Sequence, residues 1–359
     1  MSAYTVPTET PESDGTFTWT ETTLVLVRVA ACGAAGLGYC FADIATAKLI
    51  DANLKRHIVG RNPLNIPELW LAMVRSVRNL GRPGICSVAI SAVDNALWDL
   101  KARLLNLCTA DLLGRAHQSI RAYGSGGFTS YSAVELKRQL KAWVDDGLAA
   151  VKMKIGTDPA ADVERVRTAR DAIGPDVDLF VDANGAYDRK QALAKATAFA
   201  DLGVSWFEEP VTSDDLEGLR FIREASPAGI RIAAGEYGYD SFYFRRMLEA
   251  GSVDVLQADA TRCAGITGFI SAGNLCASFS TPFSAHTAPS LHAHVACAIP
   301  SALNVEYFLD HYRIEQMFFD GALVPSGGML RPDAACPGFG LECKMPDMKK
   351  YRVYGNTSA

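Results

Sequence analysis

Seven short apolar runs recur through the middle of the chain, and each delivers a polar, mostly ionisable residue at its C-terminal end. Residues 151–156 carry Lys152 and Lys154, residues 179–185 carry Asp182, and residues 204–210 carry Glu208 and Glu209. The runs 232–236, 253–259, 282–286 and 303–306 end in Glu236, Asp259, His286 and Glu306. From Lys154 onward these groups lie 28, 26, 28, 23, 27 and 20 residues apart. One strand, one helix and two loops take roughly 25 to 30 residues, the repeat of a (β/α) barrel of about 250 residues and eight units. The intervening segments 162–173, 190–202 and 240–250 place apolar residues on a 3.6-residue period, as helices would. Barrels of this kind gather their functional groups at the C-terminal ends of the strands. The seven polar ends are therefore expected in one pocket.

Side chains alternate along a strand, so Lys152 and Lys154 share one face and Val151, Met153 and Ile155 the other. An edge strand with a wet face would also explain two lysines. The six further runs with polar ends argue for the pocket instead.

At 359 residues the chain is too long for one barrel alone, which points to two domains. With 49% apolar and 21% charged residues it reads as a globular protein of ordinary make-up. A net charge of -5 argues against nucleic acid or an anionic membrane as the main partner. The first residues lack the basic start and apolar core of a signal peptide, and the longest apolar region, 24–41, is broken by Arg28 and glycines. Nine cysteines without a CxxC pair read as small buried hydrophobes of a reducing cytoplasm.

Residues 4–19 are polar and turn-prone, with Pro7 and Pro11, and read by themselves as a frayed terminus. A hairpin over 22–30 and 37–42 and helices over 43–54, 67–80 and 87–107 then make a compact α+β unit. The division expected is 1–117 for this unit, 118–320 for the barrel and 321–359 for a Gly- and Pro-rich tail that runs back over the first unit.

Asp182, Glu208 and Glu236 end successive units, so they would be neighbours on the rim. Unpaired carboxylates at close quarters raise one another's pKa, and a divalent cation resolves the conflict. Oxygen-only donors favour a hard ion such as Mg²⁺. Strand parity leaves open whether Glu208 or Glu209 faces the metal. Lys154 would face His286 across the cavity, with Asp259 on the neighbouring strand placed to hold the imidazole Nδ1–H. Lys152 would depress the pKa of Lys154 and make it a usable base. Such parts suit proton abstraction next to a carboxylate, with a metal on one oxygen and a protonated acid, for which Glu306 is the candidate, on the other.

The Lys-x-Lys of Lys152 and Lys154, the stretches around Asp182-Ala183-Asn184-Gly185 and Phe207-Glu208-Glu209-Pro210, Gly235-Glu236, Asp259, His286 and the Asp94-Asn95-Ala96-Leu97-Trp98-Asp99 segment together resemble the mandelate racemase subgroup of the enolase superfamily. The resemblance covers nearly the whole chain. It implies an α+β capping domain on a (β/α)₇β barrel and Mg²⁺ held by Asp182, the first glutamate Glu208, and Glu236. It also implies Lys154 as base on one face with Lys152 beside it, a His286–Asp259 dyad on the other, and Glu306 bonded to the substrate carboxylate. Asn184 joins Lys152 and Glu306 as a substrate contact. Residues 4–19 would include the loop that closes over the site, on a first strand that is short here.

The expected partner is a small carboxylate, the expected assembly a homo-oligomer. The expected reaction removes the α-proton of a hydroxy acid and dehydrates a sugar acid, because Thr5, Thr8, Glu9, Thr10, Glu12 and Ser13 make the expected lid polar. Racemisation or epimerisation uses the same opposed bases. Cycloisomerisation is disfavoured, since members with that chemistry present a second lysine where this chain has the His–Asp pair. From other classes, a Schiff-base aldolase could use Lys154 without metal, and a binding protein could occupy the same barrel without needing all seven groups.

Overall fold

The structure, a computed structural model, describes residues 1–355. It opens with an antiparallel sheet of β1 (Ser2–Ser13), β2 (Thr18–Ala31) and β3 (Ala34–Phe41). Alternation along these strands decides what each face covers. Tyr4, Val6, Leu24, Leu26, Leu37 and Tyr39 join the large core shared with the barrel, while Ala3, Val25, Val27 and Cys40 join a second core under the helices that follow. Those helices are α1 (Ile44–Leu49), α2 (Ile66–Ser76), α3 (Ile85–Leu104) and the short α4 (Thr109–Leu113). Two glycines set the distance between β3 and α3. A Cβ on Gly36 would lie 2.3 Å from Ala96 O, and one on Gly38 2.3 Å from Ala92 O.

Eight parallel strands follow in sequence order and close into a barrel: β4 (Ile120–Gly126), β5 (Ala150–Lys154), β6 (Asp178–Asp182), β7 (Val204–Glu208), β8 (Arg231–Ala234), β9 (Val255–Ala258), β10 (Phe283–Ala285) and β11 (Ala302–Phe308), with β11 pairing back to β4. The helices between them are α5 (Ala133–Asp145), α6 (Asp162–Ile173), α7 (Arg189–Ala200), α8 (Leu216–Ala225), α9 (Ser241–Glu249), α10 (Gly265–Ser278) and α11 (Pro289–Ala296), and α12 (Leu309–Phe318) follows the last strand. This is a (β/α)₇β barrel with a capping domain. Capping boxes start α5 at Ser132 and α7 at Asp188, each closed by a Glu or Gln three residues on. Inside the barrel Tyr123, Ala150, Phe180, Trp206, Ala233 and Val255 form one buried layer.

The tail adds β12 (Phe319–Asp320), β13 (Met329–Leu330), β14 (Glu342–Cys343), α13 (Met345–Met348) and β15 (Arg352–Tyr354). Strand β15 pairs with β1 at Ala3 and Tyr4, so the two ends of the described chain share a sheet. Among the described residues no helix is long and apolar enough to cross a membrane. The apolar region 24–41 is the β2–β3 hairpin.

Three expectations fail here. Residues 4–19 are not a frayed terminus, and the first strand is not short: β1 runs through Pro7 to Ser13, paired with β2 on both sides of a register break between Pro7 and Glu12. Proline is tolerated because β15 covers β1 only at Ala3 and Tyr4, so Pro7 lies where nothing pairs on the far side. Nor are all nine cysteines buried: every one is a free thiol, but Cys32 is exposed and Cys336 and Cys343 are partly so.

The end of β1 is fastened to α12 through carboxyl groups. Trp19 Nε1 donates at 3.1 Å to both Glu12 Oε2 and Asp310 Oδ2, Thr22 Oγ1 donates to Asp310 at 2.8 Å, and Arg313 joins Asp310 to the carbonyl of Pro7. Burial, and then the neighbouring Asp310, push the Glu12 carboxyl up to about 9. The folded chain thus keeps a proton that the unfolded chain releases in the ordinary carboxyl range, about 4. The stability this group contributes is full in acid and falls as pH climbs from about 4 to about 9. Glu12→Gln should flatten the decline of Tm over that window; a wild-type slope in the variant would show that Glu12 does not carry the proton.

Candidate active site

All the predicted polar groups stand at or just beyond the C-terminal ends of barrel strands. Lys152 and Lys154 lie on β5, Asp182 and Glu208 end β6 and β7, and Glu306 lies on β11, while Asn184, Glu236, Asp259 and His286 sit one or two residues past their strands. A continuous set of contacts links them. Lys154 Nζ donates to Asp182 Oδ2 at 2.5 Å and to Asn184 Oδ1 at 3.1 Å. Lys152 Nζ reaches Glu208 Oε1 at 2.5 Å, Glu306 Oε1 at 2.8 Å and Asp182 Oδ2 at 3.5 Å. On the other side His286 Nδ1 meets Asp259 Oδ2 at 2.9 Å, and its Nε2 lies 3.3 Å from Glu236 Oε2 and 3.6 Å from Glu306 Oε2.

Asp182, Glu208 and Glu236 each offer a carboxylate oxygen, and the three oxygens lie within 4.8 Å of one another with all three residues buried. Glu236 Oε2 is buried without a hydrogen-bond partner. An acceptor left orphaned beside two more carboxylates is costly in a protein interior. Burial pushes Glu208 well up, with Asp182, Glu306 and Glu236 adding to it against Lys152. Burial works on Asp182 and Glu236 too, but Lys154 and Lys152 hold Asp182 below the usual carboxylate range, and His286 and Arg262 hold Glu236 below it. Three converging oxygen donors under this tension fit Mg²⁺. Glu208 is the member of the Glu208-Glu209 pair that belongs to the triad. Glu209 has a left-handed φ of 39° and a buried Oε1 without a partner.

Two electrostatic details depart from expectation. Burial lowers Lys154 and Lys152 pulls it down as expected, but Asp182, with Glu236 and Glu306 behind it, outweighs both, so Lys154 stands above the ordinary lysine value. Burial raises Glu306, yet Lys152 and His286 bring it below the usual carboxylate range, and Ser125 Oγ also donates to its Oε1 at 2.5 Å. These surroundings favour Glu306 as a carboxylate rather than the protonated acid.

Several neighbours escaped the sequence reading. Trp206 Nε1 and Gln257 Nε2 both donate to Glu208 Oε2, at 2.9 and 3.1 Å. Arg262 lies 3.3 Å from Glu236 Oε1 and 3.6 Å from Asp259 Oδ2. Its only sequence signal is a position three residues after Asp259 on a turn.

The hairpin tip between β1 and β2 reaches this rim. Thr129 Oγ1 and Thr157 Oγ1 donate to Asp14 O at 2.8 and 2.7 Å, and Ser13 Oγ is 2.7 Å from Thr129 Oγ1. A Cβ on Gly15 would come within 2.4 Å of Ala183 O and 2.6 Å of Ile155 O. Gly15→Ala should therefore hold the tip off β5 and β6 and lower kcat/KM by about tenfold or more with little change in Tm; an unchanged kcat/KM would mean that the tip is not part of the closed site.

Comparison with known proteins agrees with this geometry. Residues 2–114 match the family model described as mandelate racemase / muconate lactonizing enzyme, N-terminal domain, and residues 135–348 match that described as enolase C-terminal domain-like. The chain is 31% identical over 349 residues to a 3,6-anhydro-alpha-L-galactonate cycloisomerase of Streptomyces coelicolor, covering 94% of each. It is 28% identical over 354 residues to the L-talarate/galactarate dehydratase of Salmonella typhimurium, covering 95% of this chain and 87% of that one. The structure of that dehydratase liganded with Mg and L-lyxarohydroxamate superposes with a TM-score of 0.90 at 26% identity over 98% of this chain and 91% of that one. A mandelate racemase/muconate lactonizing enzyme-like protein from Rubrobacter xylanophilus superposes with a TM-score of 0.96 at 51% identity over 98% of both chains.

Proposed function

The chain belongs to the mandelate racemase and muconate lactonizing enzyme family of the enolase superfamily, and from that premise we propose that it removes the α-proton of a hydroxy-carboxylate and dehydrates a sugar acid to a 2-keto-3-deoxy acid. The observation that supports this reading is that the lysine pair meets one end of the acidic triad, at Asp182 and Glu208, and the His–Asp pair meets the other, at Glu236. Asp182, Glu208 and Glu236 would hold Mg²⁺. Bound there, the ion would supply a Lewis acid for the substrate carboxylate and would offset the carboxylate charge of Asp182 and Glu236 that raises Lys154.

Lys154 or His286 takes the proton from the α-carbon, and the electrons move into the carboxylate as an enediolate. Lys152, Asn184 and Glu306 hold the substrate, with the Lys152 cation countering the developing charge. His286, kept in its orientation by Asp259, gives a proton to the β-hydroxyl, which leaves as water. The resulting enol ketonises. The L-talarate/galactarate dehydratase relative supports this outcome.

Polarity of the lid supports it less than expected, because Thr5 is hydrogen-bonded to Thr23, Ser13 to Thr129, and Glu12 is buried against Trp19, which leaves Thr8, Glu9 and Thr10. Racemisation at the α-carbon is the second reading, favoured by the same two-sided arrangement. Cycloisomerisation also has a named relative at 31% identity. The nine free thiols support a reducing cytoplasmic setting, and a homo-oligomer is the assembly we propose.

Incubating the enzyme and Mg²⁺ with a panel of mono- and diacid sugars, and scoring 2-keto acid formation, separates these outcomes. Keto acid from at least one sugar acid is expected. Inversion or ring closure without keto acid would replace dehydration with one of the other two.

A further inference from the structure

Two buried side chains that take no part in the steps above grip the backbone of Ala260, the residue that follows Asp259. The Ala260 N–H donates to His292 Nε2 at 2.8 Å, and the Ala260 carbonyl accepts from Asn95 Nδ2 at 3.0 Å. Asn95 belongs to α3 of the capping domain and His292 to α11 of the barrel, and neither side chain has any exposure. The second ring nitrogen of His292, Nδ1, donates to the Thr287 carbonyl at 2.7 Å. One imidazole therefore ties the residue after Asp259 to the residue after His286.

The bond pattern determines the state of the ring. Because Nε2 accepts from a backbone N–H, it carries a lone pair, and the proton sits on Nδ1. Asp259 Oδ1, at 3.5 Å from Nε2, is too distant to compete and accepts the Thr261 N–H at 2.6 Å instead. Burial lowers the His292 pKa, in keeping with a neutral ring.

The backbone here also needs holding. Thr287 and Ala288 have left-handed φ values of 53° and 37°, a costly conformation for a β-branched residue. Besides His292 on Thr287 O, His311 Nδ1 accepts the Ala288 N–H at 3.3 Å, and Glu306 Oε2 accepts the Thr287 N–H at 3.2 Å. Strain of this kind persists only where the surroundings over-determine it.

We propose that His292 is a positioning residue for the Asp259–His286 pair, acting through Ala260 and Thr287, with Asn95 steadying the carbonyl of the same Ala260 from the capping domain. Its catalytic consequence rests on the reading of His286 as an acid–base group; its geometric content does not. In ¹⁵N-histidine-labelled enzyme, the proton on His286 Nδ1 shared with Asp259 should give a low-field signal in the wild type. His292→Leu should lose it through solvent exchange, while His292→Gln, which can still accept from Ala260, keeps part of it. Asn95→Ala should weaken the signal too, and serves if His292→Leu fails to fold.

A wild-type signal in both His292→Leu and Asn95→Ala overturns the proposal, as does its absence from the wild type. With sugar acids in D₂O and Mg²⁺, the same variants should slow α-proton exchange on the His286 face on the order of 10- to 100-fold, the scale on which outer-shell partners tune a site. Exchange on the Lys154 face should stay intact. Should the wild type exchange no α-proton, the functional reading fails while the spectroscopic result still decides the positioning role.

Discussion

In D₂O with Mg²⁺, Lys154→Ala should stop α-proton exchange from one face of the substrate and His286→Asn from the other, each by on the order of 10²- to 10⁴-fold, the usual weight of a positioned acid or base. The asymmetry follows from what the two groups touch. Lys154 contacts Asp182 and Asn184, whereas His286 contacts Asp259, Glu236 and Glu306. Removing one base therefore leaves the other's partners in place. Stripping one partner from a buried ion pair can cost about 3–5 kcal/mol, so stability has to be followed alongside. Lys154→Met, which keeps the length of the side chain, controls for packing. Equal loss on both faces from either variant would mean that the two groups do not work from opposite sides.

The second large effect concerns the acidic triad. EDTA should abolish turnover, and added Mg²⁺ should restore it to the wild type but not to Asp182→Asn. Asp182 is the triad member that also balances both lysines, at 2.5 and 3.5 Å, so its loss removes a ligand and the main counter-charge of Lys154 together. Turnover that survives EDTA would put the chemistry on the side chains alone. Trapping of Lys154 by borohydride with a carbonyl substrate would then point to a Schiff base.

Much of this site was legible in the chain because strand period and repeat length are one-dimensional properties. An interval near 27 residues between Lys154, Asp182, Glu208 and Glu236 can only come from repeated strand–helix units, and such units bring their ends together. Strand parity could not choose between Glu208 and Glu209, since that depends on where β7 stops and on the left-handed φ of Glu209; only the resemblance pointed to Glu208. Helix boundaries shifted for local reasons: the expected helix 43–54 is α1 followed by a π-turn over Ile50–Leu54. The length of β1 was hidden by Pro7 and Pro11, whose cost in a strand vanishes where no neighbour pairs on one side.

The grip on Ala260 had no signature at all. Asn95 and His292 are 197 positions apart, and His292 and His294 on a short, mostly apolar helix look like core. The segment around Asp94 and Asn95 was informative as a resemblance, and the structure supplies its physical meaning. Asp94 accepts from Thr267 N and Oγ1, Asn95 accepts from Ile266 N, and Ser91 Oγ accepts from Gly265 N, so the polar side of α3 receives the start of α10. Burial pushes Asp94 up to about 7 against these donors. The capping domain is thereby bonded directly to the turn that follows Asp259.

The most direct test of the central claim is a crystal of the enzyme grown with Mn²⁺ in place of Mg²⁺ and measured at the manganese absorption edge. One anomalous peak is expected, bound by oxygens of Asp182, Glu208 and Glu236, with Lys154 and His286 on opposite sides of it. A peak at other residues, or none at saturating Mn²⁺, would contradict the account.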